Sequence, residues 1–111
     1  MVEIPRAVEE NLHFLVAEID GQLAGLQAYF DEPSTAIAQK VMLRAGYSDN
    51  LRMRVHNASQ RAMTSKKAKL SKRQLMQNFD MVGRNLDLLS RVGRRALIHA
   101  EDVQRKALLR P

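Results

Sequence analysis

A regular succession of apolar residues over residues 75–107 is the feature that most limits how this chain can fold. Apolar residues return there at alternating steps of four and three, namely Leu75, Phe79, Val82, Leu86, Leu89, Gly93, Ala96, Ala100, Val103 and Ala107. Because this spacing keeps all of them on one face of an α-helix, it predicts a long helix with a heptad seam that packs on neighbouring helices.

Two further helices are predicted upstream of the seam. Apolar residues recur at steps of three and four between Ile4 and Phe30, and a thinner stripe follows from Ile37 to Ala62. Pro33 separates these two stripes, and a polar segment, Thr64-Ser65-Lys66-Lys67, precedes the seam. We therefore predict helices over residues 4–30, 34–63 and 72–108.

The three helices predict an all-α fold of one domain over residues 1–111, a long antiparallel up-down-up bundle with short loops. Ser71 and Gln74 fit a capping box at the start of the third helix. Such a slender bundle buries little surface per residue, and its third helix outruns the first. Both features predict that the chain forms a homodimer.

The composition narrows the class of protein. The 111 residues include no Cys, which excludes disulfides and thiolate metal sites. The N-terminus lacks the pattern of a signal peptide, and no apolar run approaches the roughly 20 residues that span a bilayer. We expect a cytoplasmic protein that does not span the membrane, although it can be peripheral to the membrane through a partner.

The net charge of +6 is unevenly distributed. Residues 1–32 carry one cation and seven anions, whereas residues 33–111 carry 17 cations and five anions. One interpretation is a solvated basic face opposite an acidic helix. The other is a docking surface for an acidic partner, nucleic acid or anionic lipid.

The segment from Leu89 to Glu101 resembles the signature helix of the PhoU family of phosphate-uptake regulators, L-E-R-I-G-D-H-A-V-N-I-A-E. The identical positions are Leu89, Arg91, Gly93, Ala96, Ala100 and Glu101. Ile37-Ala38-Gln39-Lys40-Val41 is similar to the start of the family's second helix, roughly L-A-x-x-V. The resemblance implies a single PhoU-like three-helix repeat, where relatives usually carry two.

The resemblance also implies where metal would bind, because the Glu and the Asp of the signature helix are metal ligands in the family. Those positions are Ser90 and Arg94 here, and a second acidic pair on the preceding helix is reduced to Ala45 and Asp49. Divalent metals need several oxygen or imidazole ligands together, and an arginine repels a cation. We expect no metal and no cofactor.

Two groups of cations are candidate binding sites for a partner or an anion. The first consists of Arg84, Arg91, Arg94 and Arg95. These arginines either bind phosphate or carboxylate groups or pair with the acidic first helix through Glu10, Glu18 or Asp20, and the second interpretation is favoured. The other group lies around the second loop and consists of Lys66, Lys67, Lys69, Lys72 and Arg73. Nucleic acid is a possible but not favoured ligand there, since the chain has five aromatic residues and no Trp for base stacking.

No catalytic grouping is recognisable in the sequence, and we predict that the protein is not an enzyme. His13, His56 and His99 lie one per predicted helix and are interpreted as surface residues. The resemblance predicts a regulator of phosphate uptake or phosphate signalling that docks on a phosphate transporter or a phosphate-sensing histidine kinase. The alternatives are a basic helical module that associates with nucleic acid and, less favoured, a phosphotransfer domain with a reactive histidine.

Overall fold

The computed structural model describes residues 4–109, which form three α-helices with no strand among them. Helix α1 runs over Arg6–Asp31, α2 over Thr35–Thr64 and α3 over Leu70–Leu109. The predicted all-helical fold class is confirmed, and the six helix ends lie within two residues of those predicted. None of the three helices combines the length and the apolar character that crossing a membrane requires.

Local signals around Pro33 explain the first break between helices. Glu32 precedes the proline and has an extended backbone, and its N–H donates to the Ala28 carbonyl at 3.0 Å, which closes α1. Ser34 then caps α2, because its Oγ accepts a hydrogen bond from the Ile37 N–H at 3.5 Å. The chain therefore reverses direction within three residues.

The predicted capping box at the start of α3 is wrong. The helix begins at Leu70, so Ser71 lies inside its first turn. The Ala68 N–H donates to the Ser65 carbonyl at 3.0 Å, and the Arg73 N–H donates to the Lys69 carbonyl at 3.1 Å. This tight turn directs the chain into the helix two residues earlier than the serine signal predicts.

Contacts at the two ends of the helices show that the chain runs up, down and up. Val8 near the start of α1 packs with Ala62 near the end of α2 and Met76 near the start of α3. Tyr29 near the end of α1 packs instead with Ala38 near the start of α2 and with Leu97 in the second half of α3. The resulting bundle measures 68 × 19 × 16 Å, and this slender shape leaves much of each helix exposed.

The core consists of three apolar clusters along the axis of the bundle. One end holds Val8, Ala62 and Met76. The middle holds Leu15, Ile19 and Val55. The other end holds Tyr29, Ala38, Val41 and Leu97. Each cluster takes residues from at least two helices, and polar side chains lie buried between them.

The heptad seam predicted in α3 faces the core only in part. Val82, Leu89 and Val103 are exposed. The buried positions of α3 are rotated away from the predicted seam. They are Met76, Asp80, Gly83, Asp87, Ser90 and Leu97. The face of α2 that packs on α3 carries Ser48 and His56, which contact Ser90 and Asp80 of α3. Polar groups inside a protein need hydrogen-bond partners of this kind. The helix therefore presents its polar flank to α2.

Candidate functional site

A buried polar cluster joins all three helices near the middle of the bundle. Ser90 Oγ of α3 donates to Gln22 Oε1 of α1 at 2.5 Å and lies 3.3 Å from Ser48 Oγ of α2. Ser48 Oγ in turn donates to the Ala45 carbonyl at 2.8 Å. These side chains satisfy one another, so the cluster fixes the register of the helices.

This cluster occupies one of the two positions at which the PhoU-like pattern implies a metal ligand. Ser90 is engaged with Gln22 and Ser48, and Arg94 brings a cation to the other position. Within residues 4–109 no three His, Asp or Glu side chains lie close enough together to hold a metal ion. The residues present do not fit the metal centre that the resemblance implies.

A pair of carboxyl groups lies next to this cluster, between α2 and α3. The carboxyl group of Asp49 lies next to that of Asp87, which is only 3% exposed. Arg91 Nη2 lies 3.1 Å from Asp87 Oδ2, and Arg52 Nε lies 4.0 Å from the same atom. Two aspartates and two arginines thus share one partly buried site.

Asp87 holds its proton to a higher pH than an ordinary aspartate does. Burial raises the pKa of Asp87 above its usual value, and the hydrogen bond and the charge of Asp49 raise it further, while Arg91 and Arg52 lower it. Asp87 Oδ1 is buried and receives no hydrogen bond from a donor group of the described chain.

A second acidic residue of α3 is paired in a similar way one heptad earlier. Asp80 Oδ1 lies 3.0 Å from His56 Nδ1, and Asp80 Oδ2 lies 3.6 Å from Arg84 Nη2. His56 is therefore half-buried in an interhelical contact, which corrects its interpretation as a surface residue. His13 and His99 are exposed, as predicted.

Three of the four candidate arginines line one groove beside the carboxyl pair, which we call the arginine groove. It has a volume of about 390 Å³ and is lined by Met42, Asp49, Arg91, Arg94, Arg95 and Ile98. Arg94 Nε is buried and has no acceptor within the described chain. Arg84 is not part of this groove, because it lies near Asp80.

The favoured interpretation of these arginines, that they pair with the acidic first helix, is wrong for the described pairs. Arg84 and Arg91 contact aspartates four residues earlier on their own helix. On α1, Glu18 pairs instead with Arg44 of α2, at 2.9 Å. An aspartate one helical turn away requires less ordering of a long side chain than a partner across the bundle.

The second group of candidate cations lies at one end of the bundle, which we call the basic end. Lys66, Lys67 and Lys69 are exposed in the turn between α2 and α3, and Lys72 and Arg73 follow in the first turns of α3. Lys72 lines a cavity with Arg6 and Glu9 of α1. The two groups of candidate residues are therefore separate, and the structure does not combine them into one site.

Sequence reasoning missed Gln22, Asp80 and Asp87, which are central to the buried polar contacts. The signal that could have found the two aspartates is their spacing of seven residues, in phase with Gly83 and Ser90. Apolar periodicity alone does not identify these positions as buried, because it assigns every charged residue to the surface.

Comparison of this chain with known protein families, curated proteins and solved structures found no match. The PhoU-like resemblance of residues 89–101 therefore stays a prediction.

Proposed function

We propose that this chain is a non-enzymatic regulator that docks on a protein partner through the arginine groove. The resemblance to PhoU suggests that the partner is a phosphate transporter or a phosphate-sensing histidine kinase, so that docking modulates phosphate uptake or signalling. The proposed regulator acts as a homodimer in the cytoplasm and reaches the membrane only through its partner.

The observation that carries this proposal is the pair of unpaired cations in the arginine groove. Neither Arg94 nor Arg95 forms an ion pair with a carboxylate of residues 4–109, and both line the groove. A carboxylate of a partner protein that docks there would pair with the two guanidinium groups. Hydrogen bonds to charged groups contribute about 1.5–3 kcal/mol each, so two of them are a substantial part of an interface.

The groove also has apolar walls, which suits a protein partner. Met42 and Ile98 line it together with the arginines, and both are exposed. Interface cores combine such apolar contacts with a few charged hydrogen bonds. An acidic segment with one apolar side chain matches this combination.

The non-enzymatic part of the proposal is supported by how the reactive groups are engaged. Ser90 hydrogen-bonds to Gln22, and His56 pairs with Asp80, which itself lies near Arg84. Asp87 forms an ion pair with Arg91. These contacts use the polar atoms that chemistry on a substrate would need.

A second candidate function, association with nucleic acid, is favoured by the basic end. Its five cations occupy eight consecutive positions, 66–73, and none of them forms an ion pair with a carboxylate of residues 4–109. Such a cluster attracts phosphates without reading a sequence, and its binding falls steeply with salt.

One experiment separates the two functions. The wild-type chain, Arg91→Ala/Arg94→Ala/Arg95→Ala and the charge-matched control Lys66→Ala/Lys67→Ala/Lys69→Ala are used as baits in a nuclease-treated lysate of the source cells. Bound proteins are identified by mass spectrometry at low and high salt, and circular dichroism checks that all three baits are equally helical.

The docking proposal predicts that a phosphate-transport or phosphate-sensing protein is retained at high salt by the wild type and the lysine variant and lost by the arginine variant. Equal retention by the arginine variant would overturn the role of the groove. If the captured material is nucleic-acid-bound protein, lost at high salt and by the lysine variant alone, the second function replaces the first.

A further inference from the structure

Two rows of exposed apolar residues run side by side along α1 and α3. The α1 row consists of Val16, Leu23 and Phe30, and the α3 row consists of Val82, Leu89, Ala96 and Val103. Both rows have a spacing of seven residues, and their large side chains are 39–57% exposed. We call these two rows the outer seam.

The outer seam flanks the groove between α1 and α3 on the side away from α2. The two helices touch where a Cβ at Gly93 would lie 2.7 Å from Leu26 Cδ1. With 100° of rotation per residue, Leu89 is about 40° around α3 from Gly93, and Leu23 is about 60° around α1 from Leu26. Both rotations lead from the contact towards solvent, so the rows border the same groove.

We propose that the outer seam is the interface between two copies of this chain, related by a two-fold axis that runs parallel to the helices. In this arrangement α1 of each copy lies opposite α3 of the other, and two three-helix bundles join in one six-helix assembly. This interface rests on the homodimer of the proposed function and specifies its contact surface and its symmetry. It does not depend on the arginine groove.

The charges of α1 and α3 favour a second copy of the chain as the partner, and they favour the proposed direction of the two-fold axis. Helix α1 contains one cation and five anions, whereas α3 contains eight cations and four anions. An axis parallel to the helices brings the acidic α1 opposite the basic α3 of the second copy. A two-fold axis across the bundle would instead place α1 on α1 and α3 on α3, where like charges repel.

The size of the seam is also sufficient for a dimer. Residues 82–103 of α3 extend over about 30 Å, and two adjacent helices are about 20 Å wide. The covered face is therefore about 600 Å² per copy, which reaches the lower range of specific interfaces.

Sedimentation equilibrium tests the interface with two matched variants. Leu89→Glu places a charge in the outer seam, and Leu43→Glu places one on α2 at a leucine that is 74% exposed on the far side of the bundle. We expect a wild-type dimer whose dissociation constant rises by about 100-fold or more in Leu89→Glu, because an unpaired carboxylate would be buried in each copy. Leu43→Glu should behave as the wild type does.

A wild type that stays monomeric at all concentrations would overturn the dimer and the interface together. A wild-type dimer that Leu89→Glu leaves intact would overturn the interface alone, and the same holds if both variants weaken the dimer equally. Loss of the arginine-dependent docking described above would leave this result unchanged.

Cross-linking tests the symmetry, because the chain has no cysteine of its own. The variants Leu23→Cys and Leu89→Cys are treated with a short bifunctional maleimide, each alone and as an equimolar mixture. The proposed symmetry predicts covalent dimers that contain one copy of each variant, with little product from either variant alone. Efficient cross-linking of either variant to itself would show α1 on α1 or α3 on α3 and would overturn the proposed axis.

Discussion

The Asp49 and Asp87 carboxyl groups lie next to each other between α2 and α3, beside Arg91 and Arg52. This contact joins two acids that would repel each other if both were ionised. It connects the stability of the bundle to pH, and it borders the groove that we propose as the docking site.

The raised pKa of Asp87 predicts how the stability of the bundle changes with pH. The folded state keeps this proton to a higher pH than the unfolded state, so the contribution of Asp87 is fully present below the unfolded pKa. It is lost as the pH rises from about 4, the usual value for aspartate, through the folded pKa.

Urea unfolding of the wild type and Asp87→Asn across this pH range measures the effect. We expect the free energy of unfolding of the wild type to fall relative to that of Asp87→Asn as the pH rises through this range. A difference between the two proteins that does not depend on pH would contradict the raised pKa of Asp87.

The hydrogen bonds of Gln22 predict a stability loss on its removal. Gln22→Ala leaves the buried Ser90 hydroxyl without its Gln22 acceptor and removes the hydrogen bond from Gln22 to the Arg44 carbonyl. We expect the free energy of unfolding to fall by about 1–3 kcal/mol. Gln27→Ala, at an exposed position on the same helix, is the control and should change it little. Equal effects of the two substitutions would show that the buried network is not stabilising.

Gly93 and Gly46 predict opposite effects of adding a side chain. A Cβ at Gly93 would lie 2.7 Å from Leu26 Cδ1, whereas a Cβ at Gly46 meets no atom within 4 Å. We expect Gly93→Ala to destabilise the bundle by about 1 kcal/mol, the low end of overpacking, because only the terminal methyl group of Leu26 has to move. Gly46→Ala should stabilise it by up to about 1 kcal/mol, because alanine favours the helix. Thermal unfolding of both variants checks the prediction, and a stabilised Gly93→Ala would place α1 farther from α3 than described.

Ser34 and Ser71 test which serine caps a helix. Ser34 Oγ accepts from the Ile37 N–H, whereas Ser71 lies one residue inside α3. We expect Ser34→Ala to lower the free energy of unfolding by about 0.5–1 kcal/mol and Ser71→Ala to lower it by less. The reverse order, measured by urea unfolding, would restore the predicted capping box.

The helices could be predicted from the sequence because their apolar periodicity is strong, but the rotation of α3 could not. Hydropathy places Leu89 inside and Ser90 outside, whereas the structure buries Ser90 and exposes Leu89. The reason lies on the other helices, where Gln22 and Ser48 need a polar partner. A rule that treats each helix separately cannot include that requirement.

The candidate site could also be predicted from the sequence only in part. The spacing of Arg91 and Arg95 placed both on one face, and they line one groove. The carboxylate partner of Arg91 could not be predicted. A method that considers only apolar residues assigns Asp87 to the surface of α3. Interhelical partners depend on the relative rotation of the helices, which the hydropathy of one helix does not determine.

The most direct test of the proposed regulator is the rate of phosphate uptake in the source cells. The native gene is replaced by the wild type, by Arg91→Ala/Arg94→Ala/Arg95→Ala or by the lysine control Lys66→Ala/Lys67→Ala/Lys69→Ala, at equal protein levels. The account predicts that uptake is misregulated with the arginine variant, as in a deletion, and normal with the lysine control. Normal uptake in the deletion strain, or in cells with the arginine variant, would contradict it.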